Sequence, residues 1–198
     1  MDITIFDKIK VNNIESEGST SVPAQTLYNV IKELSDDNPI NLELKMGIYI
    51  LGGNFSARLM QTVRDQQGLT YGIGSGISGC SYGINGYWYT WGTFAPDIID
   101  KGIKSTEHQI ENWFENGITD KELEAKKTTI NGLFNVSLDT TSGLVDKVLT
   151  NAEKRRDISY LDEYQELIKG LEKNKINDSI QSNIDTNLLS VTIAGSKT

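Results

Sequence analysis

One histidine and one cysteine in 198 residues leave little with which to hold a transition metal. Protein zinc sites draw three or four ligands, mostly from those two residue types and carboxylates, and His108 has no second imidazole to join it. Cys80, being single, forms no internal disulfide and leaves the redox compartment open. A lone histidine with no convincing serine or cysteine partner makes no nucleophilic site either. Positive charge is scarce, with 19 lysines and arginines against 27 acidic residues and a net charge of −8. That balance argues against a nucleic-acid partner, because counterion release needs clustered cations. The two basic clusters, Lys126-Lys127 and Lys154-Arg155-Arg156, read as solvated helix faces. No apolar run approaches the roughly 20 residues of a membrane-spanning helix, so the sequence reads as soluble. No signal peptide is visible, which says little for a chain that opens abruptly and reads equally well as a piece of something longer.

What is present is enough for a substantial core, most economically one domain over residues 1–198, with 1–20 as a linker or an edge strand. Ile3, Ile5, Ile9 and Val11 suggest one short strand, and Leu27, Tyr28, Val30 and Ile31 a second over Ala24–Leu34. Asn38 followed by Pro39 fits the cap and first turn of an apolar helix that ends at Gly52-Gly53. Thr70–Gly79 and Tyr82–Phe94 are extended, and Gly79-Cys80-Ser81 predicts the turn of an antiparallel hairpin. Pro96 opens a helix striped by Ile99, Ile103, Thr106, Ile110 and either Trp113 or Phe114 and closed by Gly117. Thr119 and Glu122 form a capping box for a long helix to about Leu138, which resumes after Thr140-Thr141-Ser142-Gly143 toward Arg156. Helices over Ser159–Lys169 and Asn174–Ile184 follow, and the alternation in Leu188–Ala194 predicts a closing central strand. The fold class is α+β, a mixed, mostly antiparallel sheet with helices packed over one face.

The most informative stretch runs from Leu51 to Gly79. Asn54 and Ser56 offer oxygens to cap an amphipathic helix Ala57–Gln67, with Leu59 and Val63 on one face and Gly68 as its stop. Arg64 falls on the last turn of that helix and Tyr71 at the start of the next strand, so the Gly68 corner predicts both side chains at one mouth. Gly72-x-Gly74-x-Gly76 is no phosphate cradle, since it follows a helix rather than opening one and has no lysine nearby. Two readings of these glycines stay open. They let another backbone lie alongside, as in peptide binding by strand addition, or neighbouring aromatics leave no room for side chains. Tyr87, Trp88, Tyr89, Trp91 and Phe94 occupy both faces of the second strand and call for cover on both sides or an exposed binding face. On the residues alone, Arg64 is a surface ion pair with Asp65 or Glu43, and Tyr71 a core tyrosine.

Leu51-Gly52-Gly53, Phe55-Ser56-Ala57-Arg58-Leu59, Arg64-Asp65 and Gly68-Leu69-Thr70-Tyr71 stand in order and without gaps. Together they resemble the signature of the non-catalytic half of the pitrilysin/insulinase-type zinc peptidases, the inverted zincins, which include the mitochondrial processing peptidases. Asp65 stands where Glu is commoner. Gly117-Ile118-Thr119, Glu122-Leu123-Glu124-Ala125-Lys126 and Val191-Thr192-Ile193-Ala194-Gly195 extend the resemblance from about Val22 to the end. It implies a processing-peptidase-like metallohydrolase fold in a chain that is inactive alone and carries no cofactor. The H-x-x-E-H motif and its zinc belong to a partner half or subunit, which closes over this one like a clamshell around an extended peptide. It also implies that Arg64 and Tyr71 line the inner wall, donate to substrate main-chain carbonyls and help hold the tetrahedral intermediate. Phe55, Gly72, Gly74 and Gly76 are then substrate contacts, and Arg58 anchors its helix. A bacterial cytoplasmic or periplasmic chain in a homo- or heterodimer suits this reading. The rival is a non-enzymatic scaffold or interaction subunit of the same fold, and a weaker one is a free-standing peptide binder using Tyr87–Phe94.

Overall fold

A computed structural model of the chain describes residues 42–78, 86–153 and 156–195. The apolar helix α1 (Leu42–Gly52) leads through a π-helix (Met60–Gln66) into a hairpin of β1 (Gly72–Ser78) and β2 (Tyr87–Thr93). Five helices follow, α2 (Ile99–Asn116), α3 (Asp120–Leu138), α4 (Thr141–Glu153), α5 (Tyr160–Lys169) and α6 (Lys173–Asn183). The class is α+β. No helix among the described residues is long and apolar enough to cross a membrane.

The centre of the core is α1, which lacks a polar stripe because it is packed from more than one side. Leu44, Met46, Ile48, Ile50 and Leu51 are all buried, each worth about 1.5–3 kcal/mol relative to exposure. On one side Gly47 meets Ile176 and Ile180 of α6. At the C-terminal end Gly52 lies against the backbone of β1, so close that a Cβ there would stand 2.3 Å from the Ser75 nitrogen. Trp113 of α2 is fully buried, donates its Nε1–H to the Gly47 carbonyl at 3.0 Å and stacks on Trp88 of β2, centroids 5.8 Å apart.

The hairpin register pairs Gly72 with Thr93, Gly74 with Trp91 and Gly76 with Tyr89. Side chains alternate between faces, so Ile73, Ser75 and Ile77 lie with Trp88 and Thr90 on the inner face, and the three glycines lie with Tyr87, Tyr89 and Trp91 on the outer one. The inner Ser75 hydroxyl accepts from Trp88 Nε1 at 2.7 Å and from Thr90 Oγ1 at 3.1 Å, which satisfies the polar groups the face buries.

Two expectations are corrected. Leu188–Ala194 is not a strand: a 3-10 turn at Thr186–Leu188 precedes an unpaired stretch in which Leu188, Leu189, Val191 and Ile193 are exposed. Alternation marks a segment able to face two ways, but a strand also needs a neighbour for its N–H and C=O groups. No described segment supplies one, and the sheet among the described residues is the two-stranded antiparallel hairpin. The expected α-helix over Ala57–Gln67 is wound as a π-helix for most of its length, with Gln67 N–H donating to the Thr62 carbonyl five residues back. Thr62 Oγ1 donates to the Arg58 carbonyl at 2.8 Å and competes for the usual acceptor of its own turn. The expected strands at Ile3–Val11 and Ala24–Leu34, the Asn38-Pro39 cap and the Gly79–Ser81 turn lie outside the described residues.

Candidate functional site

The π-helix ends in a reversal that only a residue tolerant of left-handed backbone makes without strain. Gly68 has φ +63°, its N–H donates to the Arg64 carbonyl at 2.9 Å, and the Leu69 N–H donates to the Val63 carbonyl at 3.0 Å. The chain therefore turns back, and the Arg64 guanidinium comes to lie 5.5 Å from the centroid of the Tyr71 ring and 6.0 Å from that of Phe55. The two rings are 86% and 79% exposed, which removes the reading of Tyr71 as a core residue. Arg64 also faces the neighbouring Asp65 carboxylate at 3.6 Å, a surface pair of little energetic weight. Contacts of a cation with exposed rings contribute about 0.5–1 kcal/mol. The guanidinium thus lies against two rings, and among the described residues its donors make no hydrogen bond.

On the outer hairpin face the glycines lie beneath rings. A Cβ at Gly74 would stand 2.9 Å from Trp91 Nε1 and 3.2 Å from the Gly52 carbonyl, and one at Gly76 3.0 Å from the Tyr89 hydroxyl. A Cβ at Gly72 would only touch Trp91, at 3.5 Å. Of the two readings left open for these glycines, the one in which aromatics occupy the space has this direct counterpart in the packing. Tyr87, Tyr89 and Trp91 are themselves exposed, so a ligand on this face meets rings first.

Two side chains tie the Phe55 loop and the π-helix to α3. Arg58 makes the expected anchor, with Nε and Nη2 donating to the two Glu122 oxygens at 2.9 and 2.8 Å and Nη2 to the Gly117 carbonyl at 3.0 Å. Glu122 closes the capping box with Thr119 at the same time. Burial pushes its carboxyl up, but the hydrogen bonds from Arg58 and from the Thr119 backbone outweigh that and hold it below the ordinary glutamate value.

Lys126 contradicts its expected place on a solvated face. It is 2% exposed, and its Nζ donates to Asn54 Oδ1 at 2.8 Å and to Ser56 Oγ at 2.7 Å. Burial lowers its pKa, and the nearby Glu122 offsets this only in part. Asn54 and Ser56 therefore do not cap the helix as expected; the π-helix has no side-chain cap, and their oxygens serve the lysine. The sequence did carry a signal, since Lys126 falls three residues after Leu123 and eight before Phe134, on the stripe that α3 buries. His108 is exposed on α2, and among the described residues no group of three or more His, Cys, Asp and Glu side chains is placed to hold a metal.

The family described as the peptidase M16 inactive domain matches residues 10–130. The chain is similar to YmxG of Bacillus subtilis (strain 168), an uncharacterized zinc protease, at 31% identity over 98 residues, half of this chain and 24% of that protein. It is also similar to the Helicobacter pylori protein called non-peptidase homolog YmxG, at 25% identity over 169 residues, 84% of this chain and 38% of that one. The chain thus spans well under half the length of these curated relatives. The crystal structure of a peptidase M16 inactive domain from Pseudomonas fluorescens has the same fold, with a TM-score of 0.65 at 24% identity over 77% of this chain and 36% of that one. Matched over more than half of its length, the chain belongs to the family of peptidase M16 inactive domains.

Proposed function

We propose that this chain is the metal-free, substrate-gripping half of a two-part zinc peptidase and is inactive without its partner. The observation that carries the reading is the common exposed face of Arg64, Tyr71 and Phe55. A guanidinium offers five N–H donors and a phenol one, and among the described residues the polar group near the Arg64 donors is Asp65, at 3.6 Å. An extended peptide presents carbonyls on one side about every 7 Å, and the guanidinium and the phenol ring lie side by side on this face, Cζ 5.5 Å from the ring centroid. Donors fixed before the substrate arrives stabilise charge developing on a carbonyl oxygen without reorganising, and each such donor is worth about 100- to 1,000-fold in rate. Phe55 adds an apolar wall.

The donor set of this chain does not fit a zinc site, having one histidine and one cysteine. Its residues bind and polarise the peptide main chain, and the metal is assigned to a zinc-carrying half that closes over the same face. The test mixes the chain with that half and follows cleavage of β-casein, an unfolded polypeptide. The chain alone should be inert and the pair active, with Arg64→Ala and Tyr71→Phe each lowering turnover; wild-type rates in both variants would end this reading.

A non-enzymatic scaffold of the same fold is the second reading. It is favoured by the name of the Helicobacter pylori relative, a non-peptidase homolog. The same mixing experiment separates the two, since a scaffold associates with its partner and leaves casein intact.

A further inference from the structure

We propose that Lys126 is the positioning residue of this face: its ammonium clamps the residues on either side of Phe55 and so fixes the ring that borders Arg64. The inference rests on the peptide-gripping reading for its consequence, though not for its geometry. Asn54 Oδ1 is a hub. It accepts from Lys126 Nζ at 2.8 Å, from the Ser56 N–H at 3.1 Å and from Ser56 Oγ at 3.2 Å, while Asn54 Nδ2 donates to the Tyr49 hydroxyl at 2.9 Å. Ser56 Oγ takes the second Lys126 bond at 2.7 Å. Asn54 and Ser56 are thus pulled toward α3, and Phe55 between them is left 79% exposed with its ring toward Arg64.

A buried ammonium is costly unless it is fully bonded. Lys126 is nearly inaccessible, and its two acceptors among the described residues both belong to this loop. A bulky charged side chain held at that cost, on a helix stripe otherwise made of Leu123 and Phe134, is poor economy for packing alone. A neutral apolar residue would fill the space at less expense, but it could not hold the loop.

The test uses the full chain, first alone and then with its zinc-carrying half. Lys126→Met should speed hydrogen exchange at the Ser56 and Ala57 amides, which are bonded to Asn54, by at least about tenfold while leaving the α1 amides unchanged. In the assembled peptidase it should lower casein turnover about tenfold, and Phe55→Ala should do the same. The double variant should be no worse than Phe55→Ala, and Lys126→Arg should restore part of the rate. If Lys126→Met does not fold, Ser56→Ala loosens the same clamp from its exposed end and should speed exchange at Ala57 about threefold. Unchanged loop exchange in the folded variants overturns the proposal, as does a loosened loop with wild-type turnover in an assembly that Arg64→Ala cripples. If Arg64→Ala and Tyr71→Phe are both silent, the peptide-gripping reading fails instead, and loop exchange alone decides whether Lys126 is the clamp.

Discussion

The Arg64 guanidinium lies over the Tyr71 ring, 5.5 Å from its centroid, across a π-helical turn and a glycine with left-handed backbone. Both residues are on the surface, so removing either should leave the fold intact. Arg64→Ala is expected to change stability by no more than about 0.5 kcal/mol. In the assembled peptidase it should lower kcat about 100-fold or more. Tyr71→Phe keeps the ring under the guanidinium and loses only the hydroxyl, so a drop in its turnover isolates the phenol as a donor. Thermal unfolding and casein cleavage on the same preparations check both.

Gly68 separates geometry from contact. Its φ of +63° disfavours any side chain, yet nothing lies within 4 Å of where a Cβ would stand. Gly68→Ala should therefore cost about 1–2 kcal/mol through backbone strain alone. Gly68→Asn, which tolerates that region better, should cost less. Unfolding midpoints of the two variants give the comparison.

Gly52 is the opposite case, limited by space. A Cβ 2.3 Å from the Ser75 nitrogen and 2.9 Å from the Gly74 carbonyl carbon meets backbone, which has no rotamer to yield. Gly52→Ala should destabilise by about 3 kcal/mol or prevent folding. Gly132→Ala, on α3 with nothing within 4 Å, should be neutral or mildly stabilising.

The Arg58–Glu122 pair predicts an acid limb in stability. A carboxylate whose folded pKa is depressed stabilises fully above its unfolded value, about 4.3, and that contribution is lost as pH falls through the lower folded value. The melting temperature should fall below about pH 4.3, and Glu122→Gln should flatten that part of the curve. At pH 7 the same variant should lose about 2 kcal/mol, since the bidentate bonds at 2.8 and 2.9 Å are weakened and not removed.

How far the sequence could be read depended on whether each signal was local. The capping box at Thr119 and Glu122, the glycine stop at Gly117 and the antiparallel pairing of the two extended segments all follow from residues close in sequence, and all are present. The approach of Arg64 to Tyr71 was legible for the same reason, as seven positions and one glycine determine it. Lys126 was not, because its acceptors lie 72 and 70 residues away and a lysine pair looks like a wet helix face. The π winding also escaped, since apolar spacing over so short a segment does not distinguish a turn closed after four residues from one closed after five. Leu188–Ala194 misled, since alternation states a preference and pairing needs a second strand.

The three tryptophans of the chain are divided by the hairpin in a way that makes it optically self-reporting. Trp113 is fully buried and stacks on the partly buried Trp88 of the inner face, while Trp91 stands over Gly74 on the opposite face, half in water. A polypeptide settling across that outer surface dehydrates one indole out of three. Its emission should move to shorter wavelength against a constant interior background, and Trp91→Phe should silence the change without disturbing the pair beneath.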